Sequence, residues 1–277
     1  MKTMNKTTLK LLVAIFSVSL LIAGCQSNQK KSGKMSKSDK MEKAEVEEKV
    51  REVVYPLPSS YEVTEMLNEV GASYIIGLSN SVENVDNYFS DKEQALNLGV
   101  YSADLSYAST YNMKQYTMNY IEAIEQLVKE LGVTGAFTRD FIDKVEANID
   151  NKDELVDLIT NAFYDTYSYL VRRNKEDLSV LVLTGTWVES LYITTHISEN
   201  TYRDTEMVKI MLQQRESLIK LLEIMKKHEN HETIQELYHD LKPILEIYRT
   251  MDESSIKESE VNAIVENIEE VRNKIIS

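Results

Sequence analysis

Over most of this chain, apolar residues recur at the spacing of one helix face. Met113, Tyr116, Tyr120, Ile124, Leu127, Val128 and Leu131 form one stripe; Leu155, Leu158, Ile159, Ala162, Phe163, Tyr167 and Leu170 form another. Met207, Ile210, Met211, Leu218, Leu221, Leu222 and Met225 make a third, and Val261, Ile264, Val265, Ile268, Val271 and Ile275 end the chain at nearly heptad spacing. Stripes of this period set one side of a helix against a core. Three prolines and eight glycines in 277 residues leave little to interrupt them, and no two-residue hairpin signal occurs. The expected fold is all-α, a bundle of about eight to nine helices.

Local punctuation divides the bundle. A helix is expected from Asp39 to Val54, stopped by Tyr55-Pro56-Leu57-Pro58, because a residue before proline avoids helical backbone. Ser59 or Ser60 can cap the next, which runs through Leu67 and is ended by Gly71. Tyr74 to Phe89 reads as one or two short helices. Ser90-Asp91-Lys92-Glu93 is a capping box that starts a helix through Tyr111. Phe141, Val145 and Ile149 mark a short helix, and the acidic run 150–154 reads as a helix junction, since it lacks the ligand order and glycine of a calcium loop. Another helix follows Arg172-Arg173-Asn174 and ends near Ile197. Pro243 predicts a kink or break near Lys242.

Two helices stand apart. Between Gln94 and Met113 the only charge is Asp104, and between Asp177 and Glu199 it is Glu189. A helix stripped of charge on every side is buried on every side. The Leu178–Leu183 run raises the possibility of a membrane span, but Glu189 and the many hydroxyl residues favour two central core helices. Gly99, Tyr101 and Leu105 match Gly185, Trp187 and Leu191 in spacing, through either an internal duplication or coincidence. Mid-helix glycine costs about 1 kcal/mol relative to alanine, so a close crossing of these two helices is the expected reason for both.

The two lone acids also make the best chemical constellation. Helix geometry puts Asp104 on a face with Tyr101 and Tyr107, and Glu189 with Tyr192 and His196. Such residues can bind a cation or a polar ligand between helices. Equally, each acid can be structural, accepting from Tyr or Ser hydroxyls or pairing with Arg172 or Arg173. No metal site is expected. Glu236-x-x-His239 has no second copy for a di-iron site, and His228-Glu229-Asn230-His231 lacks the i, i+4 histidines of a zinc helix. No nucleophile elbow, phosphate loop or dinucleotide fingerprint occurs, so no catalytic residue or cofactor is assigned. Nine of the sixteen tyrosines fall between Tyr55 and Tyr120, where they can form a binding surface or fill a core with their polar tips outward.

The N-terminus carries the strongest motif. Lys2, Lys6 and Lys10 flank the apolar run Leu11–Ile22, which leads into Ile22-Ala23-Gly24-Cys25 and the only cysteine of the chain. This resembles the lipobox of bacterial lipoproteins. The resemblance implies a signal peptide over residues 1–24, cleavage before Cys25, a diacylglyceryl group on its sulfur and a further acyl chain on its amino group. Two or more chains make a stable anchor in a lipid bilayer. With Cys25 so used, no thiol is left for disulfides or catalysis.

Residues 25–43 read as a basic, flexible tether. The signal carries +3 and the tether +4 of a whole-chain −14, which leaves −21 on an acidic helical domain over 44–277. A body this acidic excludes nucleic acid as a partner, while the tether can lie on anionic headgroups. Tyr55-Pro56-Leu57-Pro58-Ser59, Glu62-Val63-Thr64, Asn97-Leu98-Gly99-Val100-Tyr101 and Ala103-Asp104-Leu105-Ser106-Tyr107 resemble uncharacterised all-helical lipoproteins of Bacteroidetes-type bacteria, over roughly residues 55–130. That resemblance implies an envelope location and a helical body, and no reaction or ligand. Gln26-Ser27-Asn28-Gln29-Lys30 has none of the acids that follow the anchor in surface-exported lipoproteins of this type, which favours the periplasmic face of the outer membrane. The expectation is a non-enzymatic, lipid-anchored protein with an envelope protein partner. The alternative is a periplasmic small-molecule or cation-binding protein with a pocket near Asp104 and Glu189.

Overall fold

Side-chain caps start most of the helices in the computed structural model, which describes residues 59–133, 137–198, 201–252 and 255–277. These residues belong to one compact unit spanning Lys43–Ser277. The signal, the tether and the helix expected over 39–54 lie outside the described residues.

Helix α1 is Ser60–Glu69, where the Ser59 hydroxyl accepts from the Glu62 N–H and Glu62 accepts from the Ser59 N–H. Helix α2, Asp91–Thr110, starts on the reciprocal bonds of Ser90 and Glu93. There follow α3 (Lys114–Glu130), α4 (Arg139–Ala147), α5 (Lys152–Arg172), α6 (Glu176–His196), α7 (Thr205–Met225), α8 (Glu232–Thr250) and α9 (Glu258–Ile276). The described residues contain no strand, and the fold is all-α.

The charge-poor helices α2 and α6 are the centre. Every residue of α2 from Gln94 to Thr110 is buried, as is nearly all of α6. They lie side by side and parallel. Lys175 approaches Asp91 at 3.9 Å at their N-terminal ends, while Tyr107 and Ile193 share one apolar cluster at the other. The glycines permit the contact: a Cβ on Gly99 would stand 2.1 Å from Val182 O, and one on Gly185 would stand 2.0 Å from Leu96 O. Each glycine thus presses on the residue three before the other, so the sequence match between the helices has a locally two-fold counterpart in space. Buried hydroxyls are satisfied within their own helices, Ser102 donating to Leu98 O, Ser106 to Ser102 O, Thr184 to Val180 O and Thr194 to Ser190 O. Helix α6 is long and apolar enough to cross a bilayer, the one such helix among the described residues, but 83% of its apolar window is buried inside the protein.

The other helices wrap this pair. Helix α3 packs along α2, α1 rests on both central helices, and α7 and α9 pack against α6, with α8 covering α7 and α9.

One expectation needs correction and another holds in part. Helix α8 runs unbroken through Pro243. Pro243 and His239, whose carbonyl loses its usual donor, are both exposed, so water can take up the free acceptor. Of the one or two short helices expected over 74–89, one forms, a 3₁₀ helix over Val82–Asn87, and the rest is loop. Gly77 turns the chain at φ +86°, a left-handed conformation that ends any helix there. The loop is instead pinned to the core residue by residue, through Leu78, Val85 and Tyr88.

Candidate functional site

Parallel packing registers α2 against α6, so Asp104, five residues past Gly99, meets Glu189, four past Gly185. Both are fully buried, at 0% exposure. A third helix closes the site. Arg272 of α9 reaches Glu189 with both arms of its guanidinium, Nε donating to Oε2 at 2.6 Å and Nη2 to Oε1 at 2.8 Å. Its Nη2 also donates to the Leu78 carbonyl at 3.4 Å, and its plane lies 3.9 Å from the centre of the Tyr192 ring. Bidentate pairing and stacking are what arginine does better than lysine. The guanidinium fills the place a cation would take beside Glu189.

Asp104 is the odd member. Its Oδ2 accepts from the Asn80 N–H at 3.1 Å, while Oδ1 and the nearby Ser79 Oγ are buried without a partner among the described residues. Burial, then the charge of Glu189, push the Asp104 carboxyl well above the usual carboxylate range, and Arg272 and Ser79 offset this in part. Asp104 thus takes a proton more readily than an ordinary carboxyl, beside a Glu189 already paired with Arg272. Burial opposes the Arg272 cation too, but Glu189 in its fork outweighs that and holds it above the ordinary arginine range. The charges of Glu189 and Arg272 compensate each other in the core.

The tyrosines form a shell around this cluster, and each secures the 74–88 loop. Tyr101 donates to Ser81 O at 2.8 Å, Tyr120 donates to Asn80 O at 3.1 Å, and the Tyr107 hydroxyl accepts from the Ile75 N–H at 2.8 Å. Tyr88 accepts from Asn80 Nδ2 at 2.9 Å. Rings fill the core while hydroxyls reach loop backbone. Tyr88, Tyr101, Tyr107 and Tyr120 are buried and belong to the core, while Tyr61, Tyr74, Tyr111 and Tyr116 are half-buried. Burial pushes the Tyr107 phenol up to about 12 and Tyr101 higher, leaving neither ready to act as a base. His196 stacks on Tyr192 with ring centres 4.0 Å apart, and burial lowers its pKa so that the ring is neutral.

All six candidates from the sequence, Asp104, Tyr101, Tyr107, Glu189, Tyr192 and His196, therefore belong to one neighbourhood. The arginine is the residue that sequence reasoning missed. Arg172 and Arg173 are exposed at the end of α5, with Arg173 over the Tyr169 ring. Arg272 carried a signal: it lies four residues after Ile268 and three before Ile275, inside the apolar stripe of α9. A charge in such a stripe points to a buried partner.

Two of the remaining histidines are structural. His228 Nδ1 pairs with Asp177 at 2.5 Å, and His231 caps α8 by accepting from the Ile234 N–H. His239 is exposed, and no group of His, Cys, Asp or Glu side chains suited to a metal occurs among the described residues.

A cavity opens on a different face of the central pair, between α1, α2, α5, α6 and α7. It encloses about 60 Å³, its walls include Ser60, Leu105, Phe163, Leu183 and Trp187, and none of the six candidates lines it. Comparison with protein-family models, with curated proteins and with solved structures finds no match for this chain.

Proposed function

We propose that this protein is an envelope lipoprotein, anchored by acyl chains on Cys25, whose helical body binds another envelope component without catalysing a reaction. The observation that carries the non-catalytic part is the closure of the acid pair. A general acid or base must come within hydrogen-bond reach of its substrate. Here the one carboxyl shifted toward neutrality among the described residues is 0% exposed and faces Glu189, Ser79 and Asn80. Its role is to let three helices meet around a compensated charge. The anchor rests on the motif ending at Cys25, and the absence of acids over Gln26–Lys30 supports the periplasmic face of the outer membrane. A body at −21 on a tether at +4 suits a partner with a basic face, held near a surface that the body itself avoids.

The test is affinity capture from solubilised membranes with the native chain and the Cys25→Ser variant. One partner should be recovered reproducibly with the native chain, and less of it with the variant. Recovery of no reproducible partner would count against the reading. The unpartnered Asp104 Oδ1 beside Ser79 Oγ is the one feature that favours a small-molecule or cation site instead. A ligand-induced rise in melting temperature that vanishes in Asp104→Asn would support that second reading.

A further inference from the structure

We infer that the cavity between α1, α2, α5, α6 and α7 is a binding site for a small, uncharged molecule with an aromatic body. The inference concerns the helical body alone and does not depend on the anchor at Cys25. Charged residues make up 27% of the chain, yet none of the sixteen residues lining this cavity carries a charge. An ionised ligand would lose its hydration there and find no counter-charge, which is costly. An uncharged one avoids that cost.

The polar atoms of the lining are largely committed. Ser102 and Ser106 donate within α2, the Ser60 and Ser106 hydroxyls bond each other at 2.9 Å, and Thr186 donates to Gly99 O and Val182 O. Trp187 Nε1 donates to Ser217 Oγ, which donates to the Gln214 carbonyl. Water in the cavity therefore gains few hydrogen bonds, and an apolar group displaces it at little loss. Five of the lining residues are aromatic, Tyr61, Phe137, Phe163, Tyr164 and Trp187, against 8% aromatic residues in the whole chain. Such walls favour a flat ring through stacked and edge contacts.

Size sets the mode of entry. The enclosed floor of about 60 Å³ is less than half of the roughly 150 Å³ cavity that takes up benzene. A ring therefore enters edge-first, and the rest of the molecule lies along the mouth. Thr160, Phe163 and Tyr164 of α5 are only half-buried, so that side can yield.

Trp187 is the only tryptophan of the chain and lines the cavity, so its emission reports on this site. The probes are N-phenyl-1-naphthylamine and 8-anilinonaphthalene-1-sulfonate, closely related aromatic amines that differ in one sulfonate. The full chain is held in phosphatidylcholine vesicles, with protein-free vesicles as the blank. The uncharged probe should quench Trp187 saturably, with Kd on the order of 10 μM, and the sulfonate should bind at least about tenfold more weakly, a gap of about 1.4 kcal/mol. Thr160→Phe at the mouth and Ser190→Leu on the wall should each weaken the uncharged probe by about tenfold or more, with circular dichroism reporting whether each variant keeps its fold. Equal binding of the two probes, unchanged binding in a folded variant, or no quenching of Trp187 would each overturn the inference. The difference between the two probes in the native chain decides the matter even where a variant unfolds.

Discussion

Arg272→Met should be among the most damaging single changes outside the apolar core. Arginine at this position makes two charge-assisted hydrogen bonds to Glu189, at 2.6 and 2.8 Å, and stacks 3.9 Å over Tyr192. Methionine keeps much of the apolar volume and removes the charge. Glu189, at 0% exposure, is then left without its counter-charge. Breaking one side of a buried pair costs about 3–5 kcal/mol, a large share of the roughly 5–15 kcal/mol that holds a typical domain folded. The same pair on the surface would be worth about 1 kcal/mol or less.

Urea unfolding followed by circular dichroism measures the loss, as a lower midpoint at unchanged slope. The double variant Glu189→Gln/Arg272→Met separates charge from packing. With both charges gone, it should recover at least about 2 kcal/mol of the loss, because contacting residues couple. A single-variant loss under about 0.5 kcal/mol would refute the reasoning. So would strict additivity of Glu189→Gln and Arg272→Met.

Gly99→Ala and Gly185→Ala should each lower the melting temperature sharply, with about 1–3 kcal/mol or more lost to overpacking, because each added methyl meets a carbonyl oxygen at 2.1 or 2.0 Å. An ordinary mid-helix glycine would instead gain about 1 kcal/mol from alanine, so a rise in melting temperature would contradict the parallel contact. Asp104 has a folded pKa raised above its unfolded value, so the native state keeps a proton that the unfolded chain releases once pH passes the ordinary 3.8. Its contribution is most favourable below that pH and falls by about 1.4 kcal/mol per pH unit as pH rises toward the folded pKa. Asp104→Asn should flatten this decline in denaturation curves taken from pH 4 to 8 and be the more stable protein at pH 8. An unchanged pH profile would show Asp104 to be ionised in the fold.

Much of this architecture is legible in the residues. The Ser90–Glu93 box starts α2 because a side chain and a backbone amide three residues apart satisfy each other locally, whatever the rest of the fold does. The charge-free stretches around Asp104 and Glu189 identify the central pair because charge must stay wet unless paired. The paired glycines announce the contact in the same way, since only a missing Cβ permits it. What stayed hidden depends on distance along the chain or on the side a residue faces. Pro243 breaks nothing because it faces water, a fact that helical period alone leaves open. The loop over 74–88 is held by hydroxyls from Tyr101, Tyr107 and Tyr120, contacts invisible from its own residues. Glu189 and Arg272 lie 83 residues apart, and spacing within one helix cannot join them. The uncharged cavity draws its lining from five helices and the Phe137 segment, so no single stretch of sequence reveals it.

Intact mass spectrometry of the protein extracted from its native membrane, with sequencing of the first tryptic peptide, bears most directly on the proposed role. The expected result is a mature N-terminus at Cys25 carrying a diacylglyceryl group, with residues 1–24 removed. An unmodified Cys25, or a chain that begins elsewhere, would contradict a lipid-anchored envelope protein.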